Sequence, residues 1–365
     1  SGQLGMGLSK TGIELHGPLE TFDHIEPVFQ GKMGFVRMIA APEESVIGIE
    51  IVGVADFKNA AFRFRHEDIE VFYDLPVYRR EGSSSPSMEY LFHGVHRGNS
   101  AFHAKLAMIL VHDLKWDKEC LLVGAGSNNL SRAGWWDNIE CQHWEEIKSG
   151  LVPRRLINLV QEDLAFLSKN RSFYEVDKVS ALDRIADFLD TCRGSRSADP
   201  VYYYGLSFHE YRRSFIDFLS KSPSPLMQYS NWRLEIISPF FADDVGNTEH
   251  QAFFDMGIEE IKLFLPFDNE GSALCQDTYY QHIQKEEGIE WAQWREDLAR
   301  ALGVNGEYFR RLHAKVYHFY NHRQSWVFVG SVNFTYKAIH ENVEAGFLAK
   351  LGKSGPLLEA IPDKV

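Results

Sequence analysis

Two stretches of the chain carry the same chemistry-bearing residues in the same order. The first holds His103 and Lys105, then Gly126-Ser127-Asn128-Asn129, then Asn138 and Glu140. The second holds His313 and Lys315, then Gly330-Ser331-Val332-Asn333, then Asn342 and Glu344. The step from the last Asn to the Glu is 11 in both copies (129 to 140, 333 to 344). The histidines lie 210 positions apart and the glutamates 204. The step from Lys to Asn is 24 in the first copy and 18 in the second, so the first carries six extra residues. These side chains suit work on a phosphate. An imidazole can attack phosphorus or protonate a leaving oxygen. Lysines and asparagines can hold the non-bridging oxygens and the charge that grows in the transition state. A glutamate behind each histidine would accept its Nδ1–H, fix the tautomer and raise its basicity. Two copies face to face would place two of each group around one phosphate.

Strands are the elements expected to position these groups. His and Lys two apart in an apolar stretch predict a β-strand, with His103, Lys105, Ala107 and Ile109 on one face. His313 and Lys315 behave likewise. Gly-Ser-x-Asn ends a second apolar strand in each copy, at Leu121–Val123 and Trp326–Val329, and glycine lets the backbone turn there. Ser127, Ser331, Arg310 and Arg311 are expected at the substrate. The arginine pair sits immediately before the second motif; its alternative is a solvated surface pair.

The paired His-x-Lys, Gly-Ser-x-Asn and Glu arrangement resembles the phospholipase D superfamily. Most members of that family carry an Asp five residues after the Lys; here those positions hold Leu110 and Tyr320. Lack of that Asp resembles the tyrosyl-DNA phosphodiesterase and nuclease branch, as does Trp135 shortly after Asn129. The repeat extends the resemblance over most of residues 15–350. It implies an α/β fold of two pseudo-symmetric halves, each a mixed β-sheet flanked by helices, with the active site at their interface. The halves are expected at 1–195 and 196–365. The resemblance also implies a metal-independent phosphodiesterase working through a covalent phosphohistidine, with no cofactor and no metal. His103, Lys105, Asn129, Glu140, His313, Lys315, Asn333 and Glu344 would be catalytic, with His103 the nucleophile and His313 the acid. Nucleic acid, DNA before RNA, is the expected substrate. A lipid phosphodiesterase or transphosphatidylase and a catalytically silent nucleic-acid-binding module are the alternatives.

Composition bounds these readings. The chain has 365 residues, 44% hydrophobic, enough for a sizeable core. A net charge of −13 argues against a general nucleic-acid coat but leaves room for a local basic groove, with Arg79-Arg80, Arg212-Arg213, Arg193 and Arg196 as further basic points. The four cysteines (120, 141, 192 and 275) form no Cys-x-x-Cys, which argues against a zinc site or a secreted disulfide framework. No apolar run reaches membrane-spanning length and the start does not read as a signal peptide, so no membrane partner and a cytoplasmic compartment are expected, or the nucleus in a eukaryote. The short tail after Leu351, with Pro356 and Pro362, fits a chain whose further domains or subunits carry targeting or substrate choice.

The remaining pattern predicts strands over 35–39, 46–54 and 69–72. A loop is expected over 82–86. His93 and His96 read as loop histidines. Amphipathic helices are predicted over 153–169 and around Leu182–Leu189. A boundary falls at 194–200, followed by a strand at Tyr202–Tyr204. A helix over 208–221, strands at 233–238 and 261–265, and a mostly helical stretch over 277–302 complete the second half.

Overall fold

The computed structural model describes residues 5–9, 12–16, 34–40, 47–53, 70–74, 92–113, 118–129, 138–171, 180–196, 201–211, 213–221, 223–241, 249–302, 310–351 and 355–361. In the first half the strands are β1 (Gly5–Ser9), β2 (Gly12–His16), β3 (Gly34–Ala40), β4 (Ile47–Gly53), β5 (Val71–Asp74), β6 (Phe92–Val95), β7 (Leu106–Asp113), β8 (Lys118–Gly126) and β9 (Glu140–Ile147). In the second they are β10 (Tyr202–Tyr204), β11 (Trp232–Ile237), β12 (Ile258–Phe264), β13 (Ile289–Trp294), β14 (Val316–Tyr320), β15 (Ser325–Gly330), β16 (Gly346–Leu351) and β17 (Leu358–Ala360).

One sheet has the order β2-β1-β9-β8-β7, and a larger one the order β10-β16-β15-β14-β11-β12-β13-β17. Both are mixed: β1 runs parallel to β9, and β11, β12 and β13 run parallel to one another, while the other neighbours are antiparallel. Helices Arg154–Lys169 and Ala181–Thr191 pack on the first sheet, and shorter helices such as Phe215–Ser220 and Glu249–Asp255 on the second. The fold is thus α/β, in two pseudo-symmetric units.

The repeated unit is a three-strand meander, β7-β8-β9 in one sheet and β14-β15-β16 in the other. The six extra residues of the first copy are three in each strand of its hairpin: β7 and β8 have 8 and 9 residues, β14 and β15 have 5 and 6. Both connections span four positions, 114–117 and 321–324. The insertion therefore lengthens the end remote from the motifs and leaves the site ends matched.

The core does not divide cleanly between the sheets. One buried cluster joins Val123, Ala125, Leu156 and Phe188 to Val343, Ala345 and Phe347 of the second half. Another joins Ile139 and Cys141 to Ala314, Val316 and Val329. Both pass directly beneath the motif residues, so apolar burial holds the two half-sites against each other.

Several expectations change. His103 and Lys105 lie in the extended segment just before β7, and His313 and Lys315 just before β14, rather than inside the strands. Residues 208–221 are not one helix: helices Ser207–Glu210 and Phe215–Ser220 are separate, the second starting at a capping box between Ser214 and Asp217. The stretch 277–302 contains β13 between helices Asp277–Ile283 and Glu296–Ala301. Its Ile289, Trp291, Ala292 and Trp294 are buried beside β12, and sheet pairing outweighed helical propensity there. His93 is not a loop residue. It is buried in β6, with Nε2 at 3.6 Å from Glu70. The loop 82–86, Arg79, Arg80, Arg212 and Trp135 lie outside the described residues.

Candidate active site

Each histidine is positioned by the other copy of the motif. Phe102 bridges to Val343 and Leu312 to Ile139, both in parallel register. His103 N donates to Val343 O at 2.9 Å, and Val343 N to Ala101 O at 2.9 Å. The second half repeats this: His313 N donates to Ile139 O at 2.9 Å and Ile139 N to Arg311 O at 2.9 Å. Each His-x-Lys segment is thus stitched to the residue preceding the other copy's glutamate.

The side chains follow the crossing. His103 Nδ1 lies 2.9 Å from Glu344 Oε2, and His313 Nδ1 lies 2.8 Å from Glu140 Oε1. The carboxylate behind each imidazole therefore comes from the opposite motif. Each carboxylate faces Nδ1, which favours the tautomer with the proton there and leaves Nε2 for chemistry. Glu344 is fully buried and Glu140 nearly so. Burial alone would raise the Glu344 pKa, but His103, its hydrogen bond, Lys105 and Ser331 together hold it below the usual carboxylate range.

The serines, expected at the substrate, instead hold the glutamates. Ser127 and Ser331 are fully buried. Ser127 Oγ donates to Glu140 Oε2, and Ser331 Oγ to Glu344 Oε2 at 2.5 Å. Each hydroxyl also accepts the amide of the residue after its glutamate, from Cys141 at 2.9 Å and Ala345 at 3.0 Å. The glycine before each serine is needed for close approach, not for a turn. A Cβ on Gly126 would stand 2.5 Å from Cys141 O, and one on Gly330 would stand 2.4 Å from Ala345 O. Asn138 Nδ2 and Asn342 Nδ2 approach the same carboxylates at 3.2 Å and 3.4 Å.

Both copies of the motif thus meet in one site, each completing the other's histidine. No protein-family model matches the chain, and no curated protein matches it. Among solved structures it is similar to a mutant of yeast tyrosyl-DNA phosphodiesterase 1, at 10% identity over 70% of this chain and 69% of that one, with a TM-score of 0.45. It is also similar to phosphatidylserine synthase of Haemophilus influenzae, at 12% identity over 77% of this chain and 69% of that one, with a TM-score of 0.40. A third is the polyphosphate kinase of Porphyromonas gingivalis, at 13% identity over 77% of this chain and 36% of that one, with a TM-score of 0.35.

The two lysines sit inside the same site. Lys105 Nζ donates to His103 O at 2.7 Å and Lys315 Nζ to His313 O at 2.6 Å, a matched pair. Lys315 is fully buried, and its Nζ also lies 3.3 Å from His313 Nε2. Burial pushes the Lys105 ammonium down to about 8, against the pull of Glu344 and Glu140. Burial, then repulsion from Lys105, pushes Lys315 down to about 7. Each lysine feels the charge of both Glu140 and Glu344. His313 is also lowered, first by burial, then by the two lysine charges, with Glu140 opposing. An anion entering between the lysines would relieve these strains.

The other expected residues differ in exposure. Asn129 is exposed at the end of its motif. Asn333 is half-buried, and its Oδ1 meets no hydrogen-bond partner among the described residues. Arg310 is half-buried and Arg311 exposed; the Arg311 role that is visible is its carbonyl bond to Ile139. One residue was missed. His209 Nε2 accepts the Glu344 backbone N–H at 3.1 Å, with its ring edge-on to Tyr204. Burial drives its pKa down to about 4, so it stays a neutral acceptor. It lies in the segment expected as continuous helix, where one histidine among many gave no signal.

Proposed function

We propose that the chain is a metal-independent phosphodiesterase that cleaves nucleic-acid phosphodiester bonds, as a nuclease or a DNA-end-processing enzyme, through a covalent phosphohistidine. The observation that carries this reading is the crossed pair His103–Glu344 and His313–Glu140 beside Lys105 and the fully buried Lys315. In the first step one imidazole Nε2 attacks phosphorus, and the bond to the leaving oxygen breaks as the other imidazole gives that oxygen a proton. In the second, water attacks phosphorus, the now neutral imidazole takes its proton, and the P–N bond breaks. Lys105, Lys315, Asn129 and Asn333 hold the non-bridging oxygens. The positive charge of two lysines does the work that a divalent ion does elsewhere.

By resemblance His103 attacks and His313 is the acid. A second reading has its own support. The lowered proton affinity of His313 and the Lys315 nitrogen at its Nε2 suit a neutral nucleophile better than a resting acid, which would reverse the roles.

Absence of the usual motif Asp and the Trp after Asn129 favour nucleic acid over lipid. No helix among the described residues is long and apolar enough to cross a membrane. Hydrolysis of labelled single-stranded DNA, duplex DNA, 3′-tyrosyl DNA and phosphatidylcholine, all in EDTA, tests the reading. Turnover of a DNA substrate is expected. Turnover of phosphatidylcholine alone would make it a lipid enzyme, and turnover of none would make it a silent module.

A further inference from the structure

Of the exposed large apolar side chains among the described residues, Phe240 is the one whose ring meets a motif histidine. It is 42% exposed, and its ring stands edge-on to His313 with centroids 6.2 Å apart. Its place follows from sheet register. Ile237 at the end of β11 pairs with Val316 at the start of β14. Continuing that register three places beyond the strand puts position 240 beside position 313. The turn is held by Ser238, which is fully buried. Its Oγ donates to Phe240 O at 2.8 Å and accepts the Phe334 amide at 3.0 Å, directly after Asn333. Phe240 is therefore a fixed aromatic surface beside the second half-site, tied to both His313 and the Asn333 turn. The first half-site lacks a counterpart among the described residues, because β7 is the outer strand of its sheet.

Resting on the phosphodiesterase reading above, we propose that Phe240 is a specificity-determining residue that stacks an unpaired nucleobase on the His313 side of the scissile phosphate. The class of substrate so selected is a single strand, or a strand frayed at the cut. A phenyl face accepts any base, so the site would choose unstacked bases rather than a sequence. A duplex, whose bases are already stacked, would gain nothing from it.

The test compares wild type, Phe240→Ala and Phe240→Trp on a single-stranded oligonucleotide and on one with an abasic nucleotide beside the cut. Phe240→Ala should raise KM on the base-bearing strand by roughly 10- to 100-fold, with kcat little changed. Phe240→Trp should restore KM, and Phe240→Ala should leave the abasic strand unaffected. An equal loss on both strands would show that Phe240 merely packs against His313 and would overturn the proposal. Binding of a 2-aminopurine strand separates this from failure of the catalytic reading. Quenching in wild type that disappears in Phe240→Ala supports stacking even without turnover. Fluorescence unchanged on titration with wild type overturns stacking, whether or not the strand is cut.

Discussion

The glutamates are the residues whose partners the geometry assigns. Because Glu140 faces His313 and Glu344 faces His103, each carboxylate should act on the histidine of the opposite copy. Replacing Glu140 with Gln should alter the ring nitrogen chemical shifts of His313 and leave those of His103 in place. It should also lower kcat roughly 10- to 100-fold, as loss of a carboxylate behind a working histidine does. Shifts confined to His103 would contradict the crossing. The histidines themselves are separated by trapping. With His103 as nucleophile, His313→Asn should accumulate labelled phosphohistidine and His103→Asn should form none, as read in denatured mixtures with labelled substrate. Label on His313 in the His103→Asn protein would establish the reversed roles. The lysines set the pH dependence. With pKa values of about 8 for Lys105 and about 7 for Lys315, the ammonium forms disappear as pH rises through 7 to 8 in the empty site. Phosphate binding should weaken over that range, so KM should climb above pH 7. A KM that stays flat from pH 6 to 9 would remove the lysines from the phosphate.

At the scale of elements, the helix Arg154–Lys169 ties the two halves together through one carboxylate. Asp163 is fully buried on that helix, accepts Tyr203 Oη at 2.6 Å in β10, and accepts the Ser207 amide at 3.0 Å. Burial pushes its pKa up to about 6 even so. Gly205 must be glycine there, since a Cβ would stand 2.6 Å from the Asp163 carboxylate. The short helix Ser207–Glu210 that follows carries His209 to the Glu344 backbone. Replacing Asp163 with Ala strands a buried phenol and a buried amide. It should cost about 1–3 kcal/mol for each group left unpaired, read as a lower urea midpoint. A midpoint equal to wild type would mean that water replaces the carboxylate without loss. Helix and strand positions here were legible where one face is apolar, as in Leu156, Ile157, Val160 and Leu164. They were misread over 289–294, where six residues with apolar side chains at 289, 291, 292 and 294 fit either period.

For the whole molecule, the crossing makes each half-site incomplete alone. The first half supplies the glutamate for His313 and the second supplies it for His103, within one chain. Mixing a His103→Asn chain with a His313→Asn chain should therefore restore no activity, because every cleft formed within a chain keeps one defective histidine. Activity recovered on mixing would mean that clefts form between chains. Under the proposed function the net charge of −13 does not oppose an anionic substrate, since Lys105 and Lys315 stand beside the two histidines.

The sequence by itself singled out the candidate groups and the fold class. Two matched sets of His, Lys, Asn and Glu at one repeated spacing, set near the ends of apolar strands, point to a pseudo-symmetric α/β fold and carry the proposal of a phosphate site. It could not determine which glutamate serves which histidine. In a chain with two equivalent copies, pairing within a copy and pairing across copies leave the same motif. Only the packing of β9 and β16 beneath opposite histidines distinguishes them, across separations of 173 and 241 residues. The same holds for Ser127 and Ser331. A hydroxyl beside a motif reads as a substrate contact until burial turns it towards a carboxylate. His209 and Phe240 reach the site through turns whose direction depends on Asp163 and Ser238. Tertiary contacts, rather than local spacing, give those two side chains their place.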